Sequence, residues 1–209
     1  MLELKNISLN FKDKKILDDF SIKVEKGSKI ALKGPSGSGK TSILNLIMHF
    51  IFPDSGEILI NDEKIIKDNI KNIRDQITWL PQNTSIFGKG NVESVILRPF
   101  SFDSNSDLTP PHEIIVQHLG KVGLKKDILD NDIEDISGGE KQRIGLIICK
   151  LLERPLMLLD EPTSALDSDS KVLAIDYLFD KNDQTILATS HDNAFLKRCE
   201  RIIELKKIK

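Results

Sequence analysis

The chain has 209 residues and a mass of 23.5 kDa, which fits one core with an inserted subdomain and not two full domains. Its 30 Lys and Arg stand against 32 Asp and Glu, and the resulting net charge of −2 supplies no general field to draw in nucleic acid. With 39% apolar residues, 12 Gly and 8 Pro it is neither disordered nor collagen-like, and no stretch reaches the roughly 18 uninterrupted apolar residues of a membrane helix.

The start, Met1-Leu2-Glu3-Leu4-Lys5, lacks the charged-then-apolar order of a signal peptide, so a soluble intracellular chain is expected. Leu2 to Leu9 and Ile16 to Val24 alternate apolar and polar residues, as half-buried strands do. Lys29 to Lys33 predicts a short strand running straight into Gly34. From Lys40 to Ile51 the residues Ile43, Leu44, Ile47 and Met48 recur at helical spacing. Gly56 to Ile60 and Ile77 to Leu80 read as further strands, with Trp79 a core residue. Asn83 to Asp135 holds Gly88, Gly90, Pro99, Pro110 and Pro111 among helix-like stretches such as Glu113 to Val122, and predicts a mostly helical insertion. Lys141 to Leu152 predicts a helix. Leu156 to Leu159 and Thr185 to Ala188 are the dense apolar runs of parallel strands covered on both faces. Strands alternating with helices make this an α/β layered core. The basic end, Lys197 to Lys209, reads as a surface helix and a last strand.

Three segments carry chemistry. Gly34-Pro35-Ser36-Gly37-Ser38-Gly39-Lys40-Thr41 fits G-x-x-x-x-G-K-[ST] at every fixed position. Its glycines let successive N–H groups point inward, and the helix starting at Lys40 adds its dipole. Lys40 offers a point charge to the β- and γ-phosphates and Thr41 a hydroxyl to Mg²⁺. At the end of the Leu156 strand, Asp160 can hold Mg²⁺ through water. Glu161, expected on the other face, can polarise an attacking water. Ser137-Gly138-Gly139-Glu140 opens the late helix. Ser137 and Glu140 form a capping box, but a box needs no glycine pair between its ends, and bare N–H groups at a helix start let an anion approach.

Gly34 to Thr41, Gln82, Ile136 to Glu140, Leu156 to Glu161, Ser164 to Asp167 and His191 stand in the order of the ATP-binding cassette (ABC) ATPases. They resemble that family's Walker A motif, Q-loop, signature, Walker B motif, D-loop and switch histidine, over Leu2 to Leu205. The resemblance implies an α/β P-loop NTPase (RecA-like) core with a mixed, mainly parallel sheet, N-terminal antiparallel β-strands and an inserted α-helical subdomain. The core would take about 1–85 and 155–209, and the helical subdomain about 86–154. It implies ATP and Mg²⁺, with Gly34 to Ser42 around the phosphates and Thr41, Gln82 and Asp160 at the metal. It also implies a head-to-tail homodimer in which Ser137, Gly138 and Gly139 of one cassette close over the γ-phosphate held by the other. Glu161 then resembles the general base, His191 and Lys40 contact the γ-phosphate, Gln82 touches metal or lytic water, and Asp167 ties the two sites. Phe11 sits where the family stacks an aromatic ring on adenine.

Some positions depart from the family pattern: Ile136 for Leu, Glu140 for Gln, Ser190 for Thr, Phe11 for Tyr and Ser94 for Asn. None removes a catalytic group, so the resemblance implies an active ATPase. It implies the nucleotide-binding subunit of an ABC transporter, cytoplasmic and peripheral at the inner face of the membrane through a separate permease, with no nucleic acid partner. Gln82 to Phe87 looks like export-type cassettes, and Gly138 to Arg143 like small bacterial metal (iron) exporters. Two alternatives stand beside it. One is a soluble ABC ATPase in an assembly role such as iron–sulfur cluster biogenesis. The other is a small-molecule kinase, which leaves Ser137 to Glu140 and His191 without work. His49, His112, His118, Cys149 and Cys199 have no ligand spacing, and Asp130 to Glu134 lacks the Gly and Glu of a calcium loop.

Overall fold

The computed structural model describes residues 1–12, 14–180 and 183–208; Lys209, the last residue of the basic end, lies outside them. The elements begin with β1 (Leu2–Phe11), β2 (Lys14–Val24), β3 (Lys29–Lys33), α1 (Lys40–Ile47), β4 (Ser55–Ile60), the two-residue β5 (Glu63–Lys64), α2 (Ile70–Arg74) and β6 (Ile77–Leu80). There follow α3 (Val92–Leu97), α4 (His112–Lys121) and α5 (Gly138–Leu151), joined partly by 3₁₀ turns at Thr84–Phe87, Arg98–Ser101, Asp103–Leu108 and Lys126–Asp130. The chain closes with β7 (Leu156–Asp160), α6 (Ser168–Leu178), β8 (Thr185–Thr189), α7 (Asn193–Leu196) and β9 (Arg201–Glu204).

The strands make two sheets. One is antiparallel with order β2-β1-β4-β5, and the other is parallel with order β6-β7-β8-β3-β9. Alternation along the parallel strands feeds two apolar cores. Leu156, Leu158 and Leu187 face α1 and the antiparallel sheet, while Met157, Leu159, Ile186 and Ala188 face the side packed by α3 to α7. All seven are fully buried. Helix α1 therefore lies between the two sheets, with Ile43, Leu44, Leu46 and Ile47 inaccessible to solvent.

Two features differ from the sequence expectation, the end of α1 and the inward set of β1. Helix α1 stops at Ile47 rather than Ile51, because His49 turns left-handed (φ 55) and its N–H and that of Phe50 close back onto the Leu46 and Asn45 carbonyls. This is a Schellman closure, which periodicity alone does not signal. Helix α5 starts at Gly138, so both glycines lie in its first turn, as the capping box from Ser137 to Glu140 implies. In β1 the inward set changes from Leu2 and Leu4 to Ile7 and Leu9, because the register shifts beside Asn6 (φ 51).

The parallel order decides where the chemistry sits. The residues after β3, β6, β7 and β8 all leave at the carboxyl edge of one sheet, where open α/β sheets form their ligand crevice.

Candidate nucleotide site

The loop between β3 and α1 is built on two glycines the fold requires. Gly39 caps α1 with φ 95, a backbone setting that strains other residues. A Cβ on Gly34 would fall 2.4 Å from the Leu205 carbonyl oxygen, so the loop can lie on the strand-end segment only as glycine. Helix α1 has no side-chain cap and no acid in its first turn, which leaves its N-terminal N–H groups for an external anion. Lys40 Nζ folds back over the loop, donating to the Gly34 carbonyl at 2.7 Å and the Pro35 carbonyl at 3.3 Å. Ser38 is buried, and its hydroxyl has no partner among the described residues.

Asp160 ends β7 at 4% exposure, and both its oxygens are engaged. Thr41 Oγ1 donates to Oδ2 at 2.8 Å and Thr189 Oγ1 to Oδ1 at 2.6 Å. A helix-start hydroxyl beside a buried carboxylate at the foot of an uncapped phosphate loop is a donor set that suits a hard cation such as Mg²⁺. Glu161 corrects the expectation that it faces away from Asp160. Its φ of 52 breaks strand alternation, and both carboxylates line the same cleft of about 610 Å³. Glu161 Oε1 lies 3.4 Å from His191 Nε2. Gln82, Ser36, Gly37 and Ser42 line this cleft as well.

Four segments far apart in the chain thus converge on one space, but not every predicted residue faces it. Phe11 is half exposed at the end of β1 and is absent from the cleft wall. Ser137, Gly138 and Gly139 begin α5 away from it, with Ser137 and Gly138 exposed. There the capping box is complete: Ser137 Oγ accepts from the Glu140 N–H at 3.2 Å, and Glu140 Oε2 accepts from the Ser137 N–H at 2.8 Å. These bonds to Ser137 hold the Glu140 carboxyl below its usual range. The two glycines differ. A Cβ on Gly139 would lie 2.9 Å from the Ala165 carbonyl oxygen, whereas one on Gly138 would meet nothing within 4 Å. Asp167 caps α6, accepting from the N–H groups of Asp169 and Ser170 and the Ser170 hydroxyl; the bonds from Ser170 lower its carboxyl.

Sequence reasoning missed three participants. Lys171 on α6 lines the cleft and pairs with Asp192 at 2.9 Å, beside His191. Burial opposes the Asp192 charge, but the Lys171 bond and the N–H groups of Phe195 and Ala194 outweigh it and lower its carboxyl. Thr189 and Gln142 are the others; only their place beside known motifs hinted at them. The remaining histidines and cysteines have ordinary roles. His112 meets Glu93 at 2.6 Å, His118 bonds the Tyr177 hydroxyl, and His49 packs edge-on against Phe52. Burial pushes the Cys149 and Cys199 thiols up to about 12. Among the described residues no cluster of three His, Cys, Asp or Glu forms a metal centre, and no helix is long and apolar enough to cross a membrane. Trp79 is only partly buried and stacks edge-on with Phe50.

A parallel sheet whose strand runs through a glycine loop into a helix, with a carboxylate at a neighbouring strand end, defines a P-loop nucleoside triphosphatase fold. Comparison with known proteins narrows the class. The ABC transporter family profile matches residues 17–164. A probable ABC transporter ATP-binding/permease protein of Haemophilus influenzae is 31% identical over 98% of this chain, and the chain spans 38% of that protein's length. The thiamine import ATP-binding protein ThiQ of Haemophilus influenzae is 35% identical over 91% of this chain and 87% of its own. A dimeric structure of MJ0796, a bacterial ABC transporter cassette, superposes with a TM-score of 0.85 at 25% identity, covering 99% of this chain and 95% of that one. The chain belongs to the ABC transporter family and has the fold of its ATP-binding cassettes, a family of ATPases.

Proposed function

We propose that this chain is the ATP-hydrolysing, nucleotide-binding subunit of an ABC transporter, whose ATP-driven dimer closure powers solute movement through a separate membrane permease. Residues about 1–85 and 155–209 act as its core and about 86–154 as its helical subdomain. The observation that carries the reading is the second helix start. Gly138 has open space where a side chain would sit, so the fold of the single chain does not require glycine there. Glycine in a helix costs about 1 kcal/mol against alanine. A bare, exposed helix start outside its own cleft suits a phosphate brought by a second copy.

The chemistry follows from the cleft. Lys40 exchanges the Gly34 and Pro35 carbonyls for phosphate oxygens. Thr41 and Asp160, with Gln82 on the same cleft wall, would hold Mg²⁺, which would neutralise charge on the transferred phosphoryl group. Glu161 accepts a proton from water as the water oxygen bonds the γ-phosphorus and the bond to the bridging oxygen breaks, its electron pair leaving with ADP. His191, 3.4 Å from Glu161, orients that water and the γ-phosphate. Asp167 and the partner's copy of the Ser137 to Gly139 turn complete the enclosure, and Phe11 is free to stack on adenine.

A surface beyond the C-terminal end of α1, the end away from the phosphate loop, supports a permease partner. Phe50 and Phe52 are 46% and 66% exposed at the end of α1, with Phe50 stacked on Trp79 and covered by Arg74. Trp79 lies on β6, the strand that leads to Gln82, so a partner seated on these rings has a short path to the nucleotide. Through it the chain sits peripherally at the membrane.

The test is Glu161→Gln. Turnover should fall by a factor on the order of 10² or more, while ATP binding persists and an ATP-dependent dimer appears in size-exclusion chromatography. An active variant, or one that stays monomeric at saturating ATP, sinks the reading.

A further inference from the structure

The segment carrying Glu161 is held in a conformation that needs outside support. Glu161 has φ 52, a left-handed setting that a side-chain-bearing residue keeps only when its neighbours enforce it. On its N–H side the support is Thr189, whose hydroxyl and carbonyl oxygens accept at 2.9 and 3.2 Å. On its carbonyl side three donors converge. Two come from inside the same turn, the Ser164 N–H at 3.2 Å and the Ser164 hydroxyl at 3.0 Å. The third comes from another element: Gln142 Nε2, on α5, donates at 2.8 Å.

Gln142 is 2% exposed, and its other amide atom is also used. Its Oε1 accepts from the Ala165 N–H at 2.9 Å, and its Nε2 also lies 3.4 Å from Ser164 Oγ. One buried amide therefore spans the turn from Glu161 to Ala165. Bridging those two backbone groups requires a donor and an acceptor on one planar group at that reach, which glutamine supplies and a carboxylate or an aliphatic chain does not. Gly139, one turn earlier, lets α5 come this close, since a Cβ there would lie 2.9 Å from the Ala165 carbonyl oxygen.

We propose that Gln142 is a positioning residue for ATP hydrolysis, fixing the main chain of Glu161 so that its carboxylate aims into the cleft. The proposal rests on the reading of Glu161 as the general base. Gln142 is absent from the cleft wall; it acts through the peptide of Glu161, which lines it. It also ties α5, the helix capped by Ser137, to the turn that carries Glu161.

The test is a double-mutant cycle in steady-state ATPase assays, with Mg²⁺ and ATP and with thermal unfolding of each protein measured in parallel. Gln142→Met keeps the volume and removes both bonds. Gln142→Glu keeps the acceptor for Ala165 and loses the donor to Glu161. Each should lower kcat about tenfold with KM for ATP within twofold. In the Glu161→Gln background each should change the residual rate less than twofold, because the carboxylate being aimed is already gone. Equal fold-losses in both backgrounds, or single-variant rates within twofold of the parent, overturn the positioning role. A Glu161→Gln parent that hydrolyses normally overturns the reading beneath it instead.

Discussion

At the residue scale the site depends on side chains that serve two neighbours at once. Thr189 is fully buried, donating to Asp160 and accepting from the Glu161 N–H through a single hydroxyl. Valine has the same shape without that oxygen, so Thr189→Val leaves one buried carboxylate oxygen without its donor. The expected loss is about 1–3 kcal/mol in urea unfolding, accompanied by weaker Mg²⁺ dependence of turnover. An unchanged midpoint would mean that solvent already reaches Asp160. Lys171 and Asp192 show the same economy in charge, since one pair ties α6 to the loop bearing His191.

At the element scale the telling feature is the start of α5. Its capping box uses Glu140 where Gln is the commoner family residue, and the carboxylate form is favoured by its bonds to Ser137. The folded-state pKa lies below the ordinary 4.5, so the unfolded chain binds the proton more readily. The stabilisation is therefore present above that ordinary value and is lost as pH falls through the folded value. Glu140→Gln keeps an acceptor for the Ser137 N–H but removes the charge. It should lower Tm at neutral pH, with the difference from the parent closing as pH falls through the lowered folded-state pKa of Glu140. A pH-independent difference would assign the effect to packing.

At the scale of the whole molecule, the nucleotide cleft and the Ser137 turn lie apart on one chain. This separation makes Ser137→Arg informative. An arginine at that exposed helix start blocks an approaching phosphate group while leaving Lys40, Thr41 and Asp160 untouched. ATP binding by the single cassette should survive in equilibrium dialysis, while turnover falls by a factor on the order of 10². Parallel loss of binding and turnover would place the whole site within one subunit.

The contiguous parts of this protein were legible in order. The eight-residue phosphate loop, the alternation of β1 and the apolar runs of β7 and β8 are set by neighbours in the chain, where spacing alone encodes the backbone. The capping box at Ser137 was legible for the same reason. What stayed hidden depends on approach between distant segments. Helix α1 ends early through a Schellman closure at His49 that leaves the apolar period unbroken. Glu161 turns into the same cleft as Asp160 because Thr189 and Gln142 hold it left-handed, and neither partner is near it in sequence. Pairing of β7 with β8, and the glycine that lets α5 lie on the Glu161 turn, bring those groups into hydrogen-bond range. Sequence determined which chemical groups this protein carries and roughly in which elements; tertiary packing alone decided which of them touch, because hydrogen bonds act over about 3 Å and these partners lie many residues apart.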